Sequence, residues 1–136
     1  GYQVLSHDQT VTRFHLFSKS GAVLLDVQFC DACPKAHEDA GSVHHIAFSV
    51  SDDAAHLRVR EALINLGYAV TPVKDHTYFK AIYFRTLDGI LFEVATNSPG
   101  FAIDEAVGCL GQALRLPAQH EHLRSELDKT LLPLSK

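Results

Sequence analysis

Two stretches of this 136-residue chain repeat one another. "FHLFSKSGAVLLDV" at 14 to 27 returns as "AIYFRTLDGILFEV" at 81 to 94, and "GYQV" at 1 to 4 returns as "GYAV" at 67 to 70. Phe17 stands as far ahead of Asp26 as Phe84 does of Glu93, so each copy ends on a carboxylate inside an apolar strand. A duplicated strand pattern restricts the fold to two related β units packed in one small protein. The second copy is preceded by a predicted strand, 43 to 50, and a predicted helix, 53 to 66. Asp52 or Asp53 is the expected N-cap, with Ala55, Val59, Ala62, Leu63 and Leu66 on one face and Gly67 just past the end. That unit reads strand, helix, strand, strand, strand. The first copy begins at Gly1, where such a helix would end, and holds only the last three strands.

The expected fold class is therefore α+β: one complete βαβββ module at 41–97, an incomplete three-strand module at 1–40 ahead of it, and a C-terminal loop with helices at 98–136. In that tail a short helix is expected near 104 to 114. A second is expected from 118 to 131, with Leu123, Leu127 and Leu131 at i, i+4 and i+8. His120 and His122 within it splay around a helix, which suits packing better than ligation.

Composition excludes several function classes. The formal charge of −4 and pI near 6.1, with scattered Lys and Arg, leave no basic stripe for a nucleic-acid backbone. No apolar run has the length of a membrane span and no signal-peptide pattern opens the chain, so a cytoplasmic protein is expected. Three cysteines, an odd number, argue against a disulfide framework, and the lone C-x-x-C of Cys30 and Cys33 reads as a loop coincidence.

Strand parity singles out candidate site residues. In "GSVHHIAFSV", His44, Ile46, Phe48 and Val50 form a bulky face suited to lie under a helix. His45, Ala47 and Ser49 form a small face suited to line a cavity. In "GILFEVA", Phe92 and Val94 oppose Leu91, Glu93 and Ala95; in "AIYFR", Ile82 and Phe84 oppose Ala81, Tyr83 and Arg85. His45, Tyr83 and Glu93 thus look into one concavity. An ionised Glu there is costly to bury unless a charge or a metal meets it. The residues alone leave three options open: a His45/Glu93 metal pair, a hydrogen-bonded structural histidine, and a Glu93–Arg85 ion pair.

Together, "GSVHHIAFSV", "VTPVKDHTYFKAIYFRTLDGILFEVAT", "SPGFAIDE" and "LGQALRLPAQHEHLRSELDKTLLPL" resemble the C-terminal half of hydroquinone-type ring-cleaving extradiol dioxygenases. These belong to the vicinal oxygen chelate superfamily, with glyoxalase I and bleomycin-resistance proteins, and the resemblance runs from Gly1 to Leu134. It implies that His45, directly before "IAF", and Glu93, in "LFEVA", are metal ligands. It further implies Fe(II) as the metal, with Mn, Ni or Zn as alternatives, and a small aromatic diol as substrate. Tyr83 falls where these enzymes place a substrate-binding tyrosine, and His76 near an acid/base group. The chain departs from the family in lacking an Arg near His76 and in having "TLDGI" for a Pro-Gly-Gly turn. The family's other histidine ligand belongs to an N-terminal module, so only two of three ligands can be placed and the metal is expected to bind weakly or not at all. The competing readings are a glyoxalase-like metalloenzyme working as a dimer and a non-catalytic small-ligand-binding module. A homodimer is expected in any case, because three strands alone leave an unpaired edge and an uncovered apolar face.

Overall fold

The computed structural model describes residues 1–18, 21–32, 34 and 39–132 and has two compact units, Gly1–Lys35 and Ala36–Lys136. The mixed α and β composition expected from the sequence is observed in two separate sheets.

The first unit is an antiparallel meander of β1 (Gln3–His7), β2 (Val11–Ser18) and β3 (Gly21–Gln28). The β1–β2 turn is held by Asp8, whose Oδ1 accepts from the amides of Thr10 and Val11 at 2.9 and 3.0 Å. Those amides hold the Asp8 carboxyl below its usual range. A bulge between Val4 and Ser6 shifts the β1 register. Among its described residues none is buried, and Phe17 is 74% exposed. Cys30 is disulfide-bonded, although the odd cysteine count argues against a disulfide framework, while Cys109 is free and exposed. Cys33 lies outside the described residues.

In the second unit, β4 (Ile46–Val50) leads into α1 (Asp53–Asn65), followed by β5 (Lys74–Asp75), β6 (Lys80–Arg85) and β7 (Leu91–Thr96). The sheet order is β4-β7-β6-β5, with β4 parallel to β7 and the other pairs antiparallel. Parallel neighbours need a crossover, and α1 lies within it, packed on β7 and β4. Its start is fixed by Asp52, whose Oδ1 accepts from the Ala55 amide at 2.8 Å. Its end is a Schellman turn: Gly67, at φ +87°, donates to Ile64 O and Tyr68 to Leu63 O. The "GYAV" repeat contributes no strand here, only an isolated bridge between Val70 and Phe84.

The helix face differs from the expected stripe. His56 is buried and Ala55, Val59, Arg60 and Leu63 are half-buried, whereas Ala62 is exposed and Leu66 is 74% exposed at the C-cap. A polar residue takes the central position because its Nε2 lies 2.9 Å from the Val94 carbonyl oxygen. Ile82 and Val94 are buried with it in the unit's core. Rings of Phe48, Phe92 and Phe84 meet edge to face, with centroids 5.3 and 5.6 Å apart, so even-numbered residues of three strands share one face.

The tail is less helical than expected. Single 3-10 turns occupy Phe101–Ile103 and Val107–Cys109, a longer 3-10 stretch runs over Ala118–Leu123, and α2 spans only Arg124–Thr130. Gly108 and Gly111 disfavour a helix across 104 to 114, and the stretch from Pro117 starts without a side-chain cap. Leu127 is half-buried and Leu131 exposed, so the leucine stripe covers little.

Replacing His56 with alanine leaves a cavity and an unpaired Val94 carbonyl, and is expected to cost about 2–4 kcal/mol in urea unfolding. Leu66→Ala is expected to change stability by less than about 0.5 kcal/mol. Equal effects of the two substitutions would contradict this packing.

Candidate metal centre

β7 carries Glu93 at the centre of the sheet, where register places it opposite Ala47 of β4 and Tyr83 of β6. Side chains directly across a sheet share a face, so Ala47, Glu93 and Tyr83 form one row. His45 precedes β4 with the parity of Ala47 and joins that row: its Nε2 lies 2.8 Å from Glu93 Oε2. The Glu93 side chain is only 5% exposed, against 35% for His45. Burying a carboxylate to this degree is tolerated only with donors pointed at it. The His45 imidazole is one partner, at ion-pair distance, and the Tyr83 phenol, whose titration the carboxylate shifts, is a second.

Burial and the Glu93 carboxylate together push the Tyr83 phenol up from 10.0 to about 12. Its hydroxyl also lies 3.2 Å from His76 Nε2. The His76 ring thus contacts the same phenol whose titration the Glu93 carboxylate shifts. His76 is held by a tight turn: its amide donates to Phe79 O, its ring stacks on Phe79 with centroids 4.8 Å apart, and Thr77 takes a left-handed φ of 71°. Asp75 Oδ1 accepts from the Thr77 amide at 2.7 Å and stabilises that turn.

The sequence-predicted residues His45, Tyr83, Glu93 and His76 thus come together as one hydrogen-bonded set. The Glu93 partner is His45, while Arg85 Nη1 donates to the Gly89 carbonyl oxygen. His44 departs from its expected place. The strand starts at Ile46, so the two histidines are not bound to opposite faces; His44 is exposed and its Nδ1 lies 2.8 Å from Nδ1 of His45. Parity failed there because alternation holds only within extended, paired backbone.

His45 and Glu93 offer an imidazole nitrogen and a carboxylate oxygen, a donor pair that suits a divalent ion of the iron, manganese or zinc kind. Among the described residues no group of three His, Cys, Asp or Glu side chains is placed to hold a metal. Of the conceivable third ligands, Asp26 is engaged by Arg13 at 2.6 and 2.7 Å, His7 Nδ1 by Thr12 Oγ1 at 2.8 Å, and His76 by Tyr83. The residues fit such an ion as part of a ligand set.

No protein-family model matches the chain. It is 49% identical over 94 residues to the Bacillus subtilis (strain 168) protein named "Putative ring-cleaving dioxygenase MhqO", spanning 69% of this chain and 30% of that one. It is 37% identical over 92 residues to the chlorohydroquinone/hydroquinone 1,2-dioxygenase of Sphingobium indicum, spanning 67% of this chain and 28% of that one. The crystal structure of a B. subtilis protein titled "putative dioxygenase" superposes with a TM-score of 0.84 at 37% identity, over 99% of this chain and 43% of the other. The glyoxylase/bleomycin resistance protein/dioxygenase domain from Frankia sp. EAN1pec shares the fold, with a TM-score of 0.54 at 21% identity. The chain belongs to the vicinal oxygen chelate superfamily. It spans about a third of the length of the curated relatives it matches. As a vicinal oxygen chelate domain it places the His45–Glu93 pair in the middle of its four-stranded sheet.

Tyrosinate absorbance checks the electrostatics of the site. Tyr83 is expected to ionise near pH 12, and Glu93→Gln to lower that value by removing the negative charge beside it. Because the folded-state pKa is raised, the protonated phenol contributes stability in full below pH 10.0 and loses it as pH rises towards about 12. An unchanged titration in the Glu93→Gln variant would contradict the contact.

Proposed function

We propose that this chain contributes His45 and Glu93 as ligands, and Tyr83 and His76 as hydrogen-bonding catalytic residues, to the iron(II) centre of a ring-cleaving extradiol dioxygenase. The substrates are catechol- or hydroquinone-type aromatics. The observation that carries the reading is the approach of His45 Nε2 to Glu93 Oε2, 2.8 Å apart and nearly closed to solvent on the Glu93 side. Similarity to ring-cleaving dioxygenases over about two thirds of the chain supports it. The remaining ligand comes, in this reading, from outside the described residues, through a longer chain or a second copy.

Iron(II) held by His45 and Glu93 would supply open coordination positions for a diol and O₂. The protein's share is positioning and proton handling. Tyr83, with a phenol titrating near 12, stays protonated at neutral pH and serves as a donor to a ring oxygen. His76, 3.2 Å from the same hydroxyl, exchanges a proton with it and keeps it oriented. Ala47, Ala81 and Ala95 share the face of Glu93 by register, and their short side chains leave room for an aromatic ring.

His45→Ala and Glu93→Ala are each expected to weaken uptake of Fe(II) or Zn²⁺ by about tenfold or more, measured by equilibrium dialysis. Tyr83→Phe is expected to leave uptake within about twofold and to lower ring cleavage by about 10²–10⁴-fold. Unchanged metal uptake in both ligand variants would overturn the assignment.

We also propose that the chain is a homodimer. No described residue of the three-stranded unit is buried, and Phe17, Val23, Leu24 and Val27 are all exposed. Among the described residues this sheet holds only β1, β2 and β3, and an exposed apolar sheet favours pairing with another copy, two-fold dimers being the commonest way to do so. Sedimentation across a dilution series is expected to show a dimer that dissociates on dilution. A single 15.0 kDa species at high micromolar concentration would overturn it.

A further inference from the structure

Lys74 is a charged residue on the face of the candidate site that takes no part in the chemistry above. Register fixes its side of the sheet: Lys74 of β5 pairs with Ala81 of β6, and Ala81 with Ala95 of β7. Tyr83 and Glu93 have the parity of Ala81 and Ala95, so Lys74 shares their face. Its Nζ lies 5.6 Å from the centroid of the Tyr83 ring, the ring whose hydroxyl meets His76 and Glu93.

A lysine on a short edge strand is ordinarily a solvated charge. Two observations set this one apart. Among the described residues no carboxylate pairs with Lys74. Asp75 turns back to the Thr77 amide, and Asp53 is taken by the neighbouring Lys80, whose Nζ lies 2.6 Å from its Oδ2. The Lys74 ammonium is therefore held only by the Tyr83 π face, a loose contact that an anion can supplement or replace.

The site also has an electrostatic problem that Lys74 answers. Glu93 places a negative charge at the floor, which repels any substrate carrying an anionic substituent. A cation on the rim beside the phenol offsets that repulsion on one side of the ring only, and so orients the substrate as well as admitting it.

We infer that Lys74 receives an anionic substituent, of the carboxylate kind, on the ring of a diol seated against Tyr83 and the His45–Glu93 pair. The preferred substrates are thus anionic aromatic diols. The inference rests on the proposed reading of this face as a diol site.

The test is calorimetric titration of the full chain, in the presence of Zn²⁺, with hydroquinone and with 2,5-dihydroxybenzoate. The wild-type chain is expected to bind the carboxylated ring about tenfold more tightly. Lys74→Gln is expected to remove that preference without altering hydroquinone binding by more than about twofold, and Lys74→Arg to retain it. The preference is expected to shrink as salt is added. If both diols bind equally, or Lys74→Gln keeps the preference, the role of Lys74 is overturned while the diol site stands. If neither diol binds, the diol reading fails and the inference falls with it.

Discussion

The centre of the second unit depends on keeping a carboxylate ionised where water barely reaches. Glu93 sits on the strand flanked on both sides by others, and an unpartnered charge there would cost several kcal/mol. Each neighbouring strand supplies a remedy. β6 brings Tyr83 directly across from it, and β4 brings the residue just before its first pair, His45. The second remedy is available only because β4 runs parallel to β7, which requires the helical crossover between them. The α1 helix thereby serves the site without touching its chemistry: capped by Asp52, closed by Gly67 and pinned by His56 to the Val94 carbonyl, it sets where β4 lies.

The repeat shows how far one pattern can diverge. Asp26 occupies the place in the first copy that Glu93 occupies in the second, yet Asp26 lies across from Arg13 and makes a bidentate ion pair at the surface. The guanidinium holds the Asp26 carboxyl below its usual range, a solvated pair of small energetic consequence. Glu93 faces Tyr83 and His45 instead, groups able to exchange protons or bind an ion. The cross-strand neighbour decides whether a carboxylate is a surface charge or a site.

Much of this was legible because β alternation has period two and tolerates no drift. The parity of Glu93, Tyr83 and Ala47 put three side chains on one face, and the structure keeps them there. What was not legible lay where local geometry departs from the ideal. His44 was assigned to the wrong place because the chain is not yet a strand at that residue. The helix stripe was drawn through Ala62 and Leu66, because hydrophobicity alone cannot see that a histidine will take the buried slot by finding a carbonyl 38 residues away in sequence. The tail promised helices from its leucine spacing, but glycines and missing caps reduce it to short turns.

The His45–Glu93 contact has a double character that follows from the chemistry of its atoms. A proton on Nε2 satisfies the buried carboxylate and fixes His45 in the tautomer whose Nδ1 accepts from His44 Nδ1–H, 2.8 Å away. A divalent ion held by Nε2 would instead require the proton on Nδ1, with His44 Nδ1 as its acceptor. His44 is exposed, so its ring can exchange that proton with water. His44 can partner His45 in either tautomer because the two are not held on the opposed faces of a regular strand.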